Sequence, residues 1–243
     1  MDHIFSGIIG SLIAILLWEG GGRLKRQLAE QAIRNFWNFL NKRVAIVIPR
    51  YRGTSGEFIL TNINDVLALH LLTSFFKGRG IDYKIYGDND NLPNDVDMVL
   101  VCGPKTNKQS KQFYDRSNLR YQIVASEENR EIFLIHDIEN GVEYWSPKDK
   151  KKEDIDFGLI GRCTEDNPHR RVFFFWGIHG IGTIAAVQSS IKQDTIKNIT
   201  QSIGKEDFSV IIQAPFSKDY EIGKVTLITN PSCCYLKQRV AQP

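Results

Sequence analysis

The first hydrophobic block of the chain is a stretch of 15 residues without a charged side chain, from Ile4 to Trp18. At ~1.5 Å per residue it gives ~22 Å of helix, whereas a full membrane span needs about 20 residues. Continuing the helix through Gly20–Gly22 reaches that length if the Glu19 carboxylate lies at the membrane surface or against a partner helix. Because the stretch is apolar on every side, it predicts a transmembrane anchor over residues 1–22.

A cleaved signal peptide, an interfacial helix and a buried core helix are the alternatives for this stretch. The signal peptide fits less well, because Asp2-His3 stands where Lys or Arg is usual and no A-x-A-type cleavage site follows. Lysines and arginines follow the stretch and none precedes it, which by the positive-inside rule predicts a cytoplasmic C-terminal domain. They are Arg23, Lys25, Arg26, Arg34, Lys42 and Arg43. We therefore expect a single-pass protein of the cell inner membrane, in contact with membrane lipids.

Small side chains recur four residues apart within the predicted anchor. This spacing lets two helices approach closely in lipid, and it predicts self-association into a homo-oligomer. The alternative is that small residues are common in transmembrane helices whether or not these associate. One stripe holds Ser6, Gly10 and Ala14, and the neighbouring stripe holds Gly7 and Ser11.

An amphipathic helix is predicted over Arg23–Asn41, within a juxtamembrane segment of residues 23–42. Apolar side chains recur at every fourth position, as one face of an α-helix requires. A helix in this place can lie on the membrane surface or pair with its counterpart in a second subunit. The apolar positions are Leu24, Leu28, Ala32, Phe36 and Leu40, with Ile33 and Trp37 beside them.

Short apolar runs alternate with amphipathic stretches over residues 43–243, which we interpret as one cytoplasmic domain. Strands predicted at Val44–Ile48, Tyr83–Tyr86 and Met98–Cys102 alternate with a helix over Val66–Phe76 and precede a helix through Tyr114. This order is typical of a largely parallel sheet with right-handed crossovers. The predicted fold class is therefore α/β, with one transmembrane helix followed by a Rossmann-like domain.

The second half of the domain is richer in short strands. Asn140-Gly141 lies between two of them and is a strong hairpin signal, so a β-hairpin insertion is expected. Val172–Trp176 (VFFFW) predicts a fully buried strand, followed by a helix that ends near Ile191. Further strands are predicted at Tyr121–Val124, Glu131–His136, Glu143–Trp145, Phe157–Ile160, Ser209–Gln213 and Lys224–Thr229.

Two apolar strands run into glycine-containing loops that open helices, at Val101–Ser110 and Phe175–Thr183. Ligands of open α/β sheets bind at the carboxyl ends of strands, where helix N-termini present N–H groups suited to an anion. The glycine spacing matches neither the dinucleotide fingerprint nor the P-loop, and a tight strand-to-helix turn is the alternative. Candidate ligand-binding residues in these loops are Gly103, Lys105, Asn107, Gly177, His179, Gly180, Gly182 and Thr183.

Basic and polar side chains at other strand ends extend this candidate site. Arg50 and Tyr51 follow the first predicted strand, and Arg162 follows Phe157–Ile160. If they share one edge of the sheet with Lys105, they form an electropositive pocket for an anion. Taken singly, each is also explained as a solvated surface residue.

Net charge, motifs and cysteine spacing argue against several classes of function. A net charge of +3 is too small to indicate nucleic-acid binding by itself. The chain contains neither a nucleophile elbow nor a zinc-protease motif, and the spacing of its cysteines suggests neither a disulfide framework nor a zinc site. We therefore predict no catalytic residue, no metal and no cofactor. The cysteine usage is compatible with a reducing compartment.

The chain resembles the compact membrane effectors of prokaryotic anti-phage defence. The resemblance lies in the anchor, the basic connector and the segments VLVCGPKTN (Val99–Asn107) and FFFWGIHGIGTIAA (Phe173–Ala186). Effectors with a CRISPR-associated Rossmann-fold sensor domain are the nearest comparison, and effectors paired with prokaryotic Argonaute proteins are the second. The resemblance implies activation by a nucleotide second messenger or by a nucleic-acid-guided defence protein. The membrane segments would then assemble, break the permeability barrier and arrest the infected cell.

Two alternatives come from other classes. One is a membrane-anchored enzyme that processes a nucleotide or NAD, with Cys102, His179 or a nearby acidic residue as the catalyst. The other is a membrane-tethered scaffold. Turnover of a nucleotide distinguishes the enzyme from an effector, and toxicity that depends on the anchor distinguishes the effector from a scaffold.

Overall fold

The computed structural model describes residues 25–52, 59–60, 62–126, 133–146, 154–166, 168–217, 221–231 and 235–236. The predicted anchor over residues 1–22 lies outside these ranges, together with its assembly residues Ser6, Gly7, Gly10, Ser11 and Ala14. Within the described ranges, no helix has the length and apolar character needed to cross a membrane.

The described chain folds into helices and strands that alternate along most of its length. The helices are α1 (residues 25–36), α2 (Ile63–Gly78), α3 (Lys108–Arg116), α4 (Gly180–Ile191) and α5 (Gln193–Ile203). Seven strands form the central sheet: β1 (Arg43–Ile48), β4 (Asp82–Gly87), β5 (Asp97–Val101), β10 (Ile155–Asp166), β11 (His169–Gly177), β12 (Phe208–Pro215) and β13 (Thr226–Leu227). Smaller sheets contain β2 (Tyr51–Arg52), β3 (Ile59–Leu60), β6 (Ser117–Asn118), β7 (Tyr121–Ala125), β8 (Phe133–Asp137), β9 (Val142–Trp145) and β14 (Tyr235–Leu236).

The central sheet has the strand order β13-β12-β10-β11-β5-β1-β4. Strands β4, β1, β5 and β11 are parallel neighbours, whereas β10, β12 and β13 each pair antiparallel with the strand beside them. Five of the seven strands therefore point the same way, since β12 runs in the direction of β11. The expectation of a mixed α/β fold with a largely parallel central sheet is confirmed.

The strand order reverses at β1. The chain leaves β1 through α2 and returns as β4 on one side, and it then places β5 on the other side. In open α/β sheets, such a reversal leaves a crevice at the carboxyl ends of the two strands between which it occurs, here β1 and β5, and ligands bind in that crevice. The residues that follow β1 and β5 are therefore the first place to look for a site.

Both faces of the sheet are covered, which explains why its central strands are apolar throughout. Alternate residues of a strand point to opposite faces. In β11, Phe173 and Phe175 pack with α1, α2, α4 and α5, whereas Phe174 and Trp176 pack on the side of α3 and of the β7–β8–β9 sheet. All four side chains are fully buried, so the prediction of a buried VFFFW strand is confirmed.

The β7–β8–β9 sheet is antiparallel and supplies the expected hairpin. Its second turn contains Gly141 at a φ of +64°, a conformation that favours glycine. Sequence periodicity did not predict α5, in which Ile196 and Ile199 are buried, and it overestimated the length of β13. Cys163 on β10 is disulfide-bonded, which the cysteine spacing did not indicate and which the expectation of a reducing compartment did not anticipate.

Helix α1 ends at residue 36, before the predicted end at Asn41. The chain turns there because the fully buried Asp97 carboxylate accepts hydrogen bonds from the backbone N–H groups of Leu40 (2.6 Å) and Asn41 (2.9 Å). Phe36 and Trp37 are buried in the core beside β11. The end of the segment predicted to be juxtamembrane is therefore part of the domain that was predicted to begin at residue 43.

Candidate functional site

A pocket of about 210 Å³ opens at the carboxyl ends of β5 and β11. Helices α2 and α4 begin beside it on one face of the sheet, and β7 and β8 border it on the other. Six predicted ligand-binding residues line it, namely Gly103, Lys105, Gly177, His179, Gly180 and Thr183. Other lining residues were not in the predicted set, among them Asn62, Asp65, Cys102, Thr106, Ile123 and Phe133.

The buried end of the pocket holds a thiol and a carboxylate in contact. Cys102 donates a hydrogen bond from Sγ to Oδ1 of Asp65 at 2.6 Å, and the two residues are only 6% and 3% exposed. Burial raises the pKa of Asp65, against the lowering effect of this hydrogen bond. Burial, and then the charge of Asp65, raises the pKa of Cys102 well above its usual range. The thiol is therefore protonated at neutral pH, which is the wrong state for a nucleophile.

The backbone at Cys102 is strained. Its φ is +72°, a region that non-glycine residues rarely adopt. Ser110 fixes this turn by donating a hydrogen bond from its hydroxyl to the Cys102 carbonyl at 2.7 Å. Strained residues of this kind persist where the surroundings hold them, and they cluster at functional sites.

The mouth of the pocket is different in character. Lys105 is exposed, and its Nζ lies 4.0 Å from the centre of the Phe133 ring. Ile123 and Ile178 add apolar surface to the wall and are mostly buried. The pocket thus combines a polar buried end, an apolar wall and a cation at its mouth.

The N-terminus of α4 is already occupied by a carboxylate. Asp156, at the start of β10, accepts hydrogen bonds from the backbone N–H groups of Gly182 (2.6 Å) and His179 (3.3 Å). Burial raises the pKa of Asp156, while His179 and the N–H donors act in the opposite direction. Two of the N–H groups that were expected to bind an anion at this helix end therefore already bind the Asp156 carboxylate.

The glycines of the second loop allow close packing of α4 on the sheet. A Cβ on Gly182 would collide with the carbonyl of Phe157, and one on Gly177 would collide with the backbone of the following turn. A Cβ on Gly180 would overlap the Asn64 side chain of α2. These contacts favour the tight strand-to-helix turn, the alternative that the spacing had left open. Gly182 adjoins the pocket without lining it.

Three predicted site residues near β1 and β5 do not line the pocket. Arg50 forms an ion pair with Asp90 at 3.3 Å. Asn107 caps α3 through Ser110 N–H (3.0 Å) and donates to the carbonyls of Val47 and Val101, so it ties the ends of β1 and β5 together. Tyr51 lies in β2.

Arg162 is placed far from this edge of the sheet. It pairs with Phe173 in the register, whereas the pocket begins where Gly158 pairs with Gly177. Its guanidinium is fully buried and donates to the carbonyls of Asn35 (2.6 Å) and Phe36 (2.7 Å) at the end of α1. Burial lowers its pKa to about 9. Arg162 therefore caps a helix C-terminus, where a cation is favourable. Of the basic residues that were expected to meet in one pocket, only Lys105 and His179 line it.

Sequence reasoning missed Asp65 and Asp156 as site residues. In the sequence, Asp65 is a polar residue near a helix start, and Asp156 ends the charge-dense stretch Ser146–Asp156. Nothing local marks either as buried, because their burial depends on strands and helices distant in sequence. Among the described residues, no group of His, Cys, Asp and Glu side chains is arranged to hold a metal ion.

Comparison of the chain with models of protein families, with curated proteins and with solved structures found no significant match. The site is therefore interpreted from its own geometry.

Proposed function

We propose that this protein is a membrane-anchored effector of prokaryotic antiviral defence. Its cytoplasmic, Rossmann-like domain binds a nucleotide, and the anchors of several copies then associate and disrupt the membrane. The observation that carries the proposal is the pocket at the carboxyl ends of β5 and β11, beside the point where the strand order reverses. Ligand sites of open α/β sheets lie at the carboxyl ends of the strands, and this pocket is one strand away from the reversal at β1.

The lining of the pocket supports a nucleotide over a simple anion. Lys105 and His179 can contact a phosphate, Phe133 and Ile123 offer apolar surface to a base, and Asp65 and Thr183 offer polar groups to a sugar. A small anion would leave most of this surface unused. A wholly apolar ligand would leave the buried Asp65 carboxylate without a further partner, which is unfavourable.

Contacts between elements connect the pocket with α1. Helix α4 begins at the pocket, and near its other end the Ser190 carbonyl accepts a hydrogen bond from Nε1 of Trp37 at 3.2 Å. Trp37 directly follows α1, and α1 follows the predicted anchor. Glu30 of α1 also forms an ion pair with Arg79 at the end of α2. A shift of α4 or α2 on ligand binding can therefore reach α1, the helix that follows the predicted anchor in the sequence.

Ligand binding tests the proposal. The full-length protein in lipid nanodiscs is heated with a panel of nucleoside monophosphates, nucleoside triphosphates and cyclic dinucleotides. A ligand at about 100 times its Kd stabilises the folded state by about 2.7 kcal/mol. We expect one class to raise the melting temperature, and Lys105→Ala to weaken its binding. The matched control is Lys111→Ala, which removes an exposed lysine paired with Asp115 on α3.

A panel without any stabilising nucleotide would contradict the proposal. So would equal losses of affinity in Lys105→Ala and Lys111→Ala, because the second lysine is outside the pocket.

An enzyme acting on a nucleotide is the second candidate, favoured by one observation. Asp65 has a raised pKa and lies in a pocket, as general bases often do. Incubation of the bound nucleotide with the protein separates the two functions. Loss of turnover in Asp65→Asn would identify an enzyme, whereas an effector leaves the nucleotide intact.

A further inference from the structure

The buried end and the mouth of the pocket differ in their chemistry. Asp65, Cys102 and Thr183 are at least nine-tenths buried, whereas Lys105 and Thr106 are exposed. The buried part carries a carboxylate, and the exposed part carries a cation. A ligand with one uncharged end and one anionic end therefore has a preferred orientation.

The Asp65 carboxylate has capacity for a further hydrogen bond. Oδ1 accepts from the Cys102 thiol, and no hydrogen bond to Oδ2 is present among the described residues. A carboxylate has about four acceptor positions, and those of Asp65 that the Cys102 thiol does not use are open to a donor in the pocket. Asp65 is 3% exposed and lines the pocket, so a donor that fills them has to come from whatever occupies the pocket.

Electrostatics disfavour a phosphate at the buried end. Asp65 lies in the pocket, and Asp156 binds the N–H groups of His179 and Gly182 beside it. A phosphate placed here would meet the Asp65 carboxylate without a neutralising arginine or lysine, because Lys105 lies at the mouth. Like charges at close range in a region of low dielectric repel strongly.

The size of the pocket limits what enters. Its volume of about 210 Å³ is below the about 300–1,000 Å³ of sites that enclose a whole drug-sized ligand. One moiety of a nucleotide therefore lies inside and the remainder lies outside. The apolar wall formed by Ile123 and Phe133 suits a planar base or the carbon face of a sugar.

We infer that the nucleoside end of the ligand enters the pocket first, and that the Asp65 carboxylate accepts hydrogen bonds from its uncharged O–H or N–H donors. The phosphate lies at the mouth with Lys105. Asp65 is thus the residue that selects a ligand with these donors. This inference rests on the proposed nucleotide-binding function and adds the orientation of the ligand and the basis of its selection.

The test compares the best-binding nucleotide of the panel with analogues that each lack one donor. One analogue lacks the sugar 2′-hydroxyl, another the 3′-hydroxyl, and a third the amino group of the base. Titration calorimetry on full-length protein in nanodiscs gives each Kd. We expect one analogue to bind at least about tenfold more weakly, as loss of a hydrogen bond to a charged group implies. That analogue identifies whether the donor belongs to the sugar or to the base.

The substitution Asp65→Asn then shows whether Asp65 is the acceptor. It preserves the shape of the side chain and an oxygen for the Cys102 thiol. We expect it to weaken binding of the parent nucleotide by about tenfold or more, while the analogue without the donor binds both proteins alike. Asp115→Asn, in an exposed pair on α3, is the matched control and leaves all affinities unchanged.

Two results would overturn the inference while the proposed function stands. One is equal affinity of the wild-type protein for the nucleotide and all three analogues, a measurement that does not depend on folding of a variant. The other is inorganic phosphate displacing the nucleotide as effectively as the free nucleoside does. Absence of any nucleotide binding to the wild-type protein would instead remove the proposed function, and the inference with it.

Discussion

At the scale of single residues, buried charged side chains hold the backbone where elements begin and end. Asp97 binds the turn after α1, Asp156 binds the start of α4, and Arg162 binds the carbonyls at the end of α1. Each is nearly or fully buried. Local sequence does not distinguish them from surface charges, because their partners are distant along the chain. This is why Arg162 was predicted as a ligand-binding residue and Asp156 was missed.

The substitution Asp97→Asn tests whether a buried carboxylate holds the backbone in place, because Asp97 accepts four hydrogen bonds. Oδ1 and Oδ2 of Asp97 together accept hydrogen bonds from Leu40 N, Asn41 N, Asn41 Nδ2 and Arg171 N. An amide replaces one acceptor oxygen by a donor and leaves buried N–H groups unpaired, so we expect a loss of about 2–4 kcal/mol in the free energy of unfolding. Urea denaturation measures it. The control is Asp95→Asn, in an exposed pair with Arg43, which should change stability by less than about 0.5 kcal/mol.

The ion pair between Arg120 and Asp137 in the hairpin region makes the stability of the fold depend on pH. Arg120 donates two hydrogen bonds of 2.9 Å to the buried Asp137 carboxylate and lowers its pKa. A lowered pKa in the folded state means that the stabilisation is complete above the ordinary carboxyl value of about 4 and is lost as the pH falls through the folded value. Asp137→Asn should therefore reduce stability at neutral pH and flatten the acid limb of the unfolding curve. An unchanged acid limb in this variant would contradict the assignment.

At the scale of elements, hydrophobic periodicity predicted most of the central sheet and α2, α3 and α4 within a few residues. The inner strands β1, β5 and β11 were recognisable because both sheet faces are covered there, which makes most of their positions apolar. Helix α5 and the end of α1 were not predicted, because tertiary contacts with Ile196, Ile199 and Asp97 decide them. The pocket lies at the edge of the sheet where the ligand site was predicted, whereas its carboxylate Asp65 was not anticipated.

Close packing of α4 on the sheet gives a prediction about glycine. Gly182→Ala places a methyl group against the Phe157 carbonyl, and overpacking of this kind costs about 1–3 kcal/mol. Gly78→Ala is the control, since nothing lies within 4 Å of the added Cβ at the end of α2, and it should stabilise the fold by about 0.4–1 kcal/mol. Thermal unfolding followed by circular dichroism compares the two. Equal melting temperatures would show that α4 does not pack as described.

The contribution of α1 to the core is tested by truncation. A chain that begins at residue 25 keeps Phe36 and Trp37 in the core, whereas one that begins at residue 43 removes both and exposes Phe173. Loss of a buried Phe or Trp side chain costs about 3–5 kcal/mol. We expect the shorter chain to be insoluble or molten and the longer one to unfold cooperatively. If the two fragments were equally stable, α1 would not belong to the core and the domain would begin at residue 43, as the sequence predicted.

At the scale of the whole molecule, the proposal joins a ligand pocket, a helix that begins at it and a membrane anchor. Helix α4 links the first two, and the hydrogen bond between Trp37 and Ser190 brings the connection to α1. A single helix cannot line a pore by itself, so the mechanism requires several copies. The small residues of the predicted anchor, Gly10 among them, are where the copies are expected to meet.

In the proposed mechanism, the predicted anchor converts a signal into loss of the membrane barrier. Membrane potential tests this step, read with a voltage-sensitive dye in bacteria that express the full chain or a chain lacking residues 1–22, with and without phage challenge. The shorter chain keeps α1 and its core contacts. We predict depolarisation and cell death only for the full chain after challenge. Equal toxicity of the shorter chain, or growth arrest of the full-chain cells without depolarisation, would contradict the account and direct attention to nucleotide turnover.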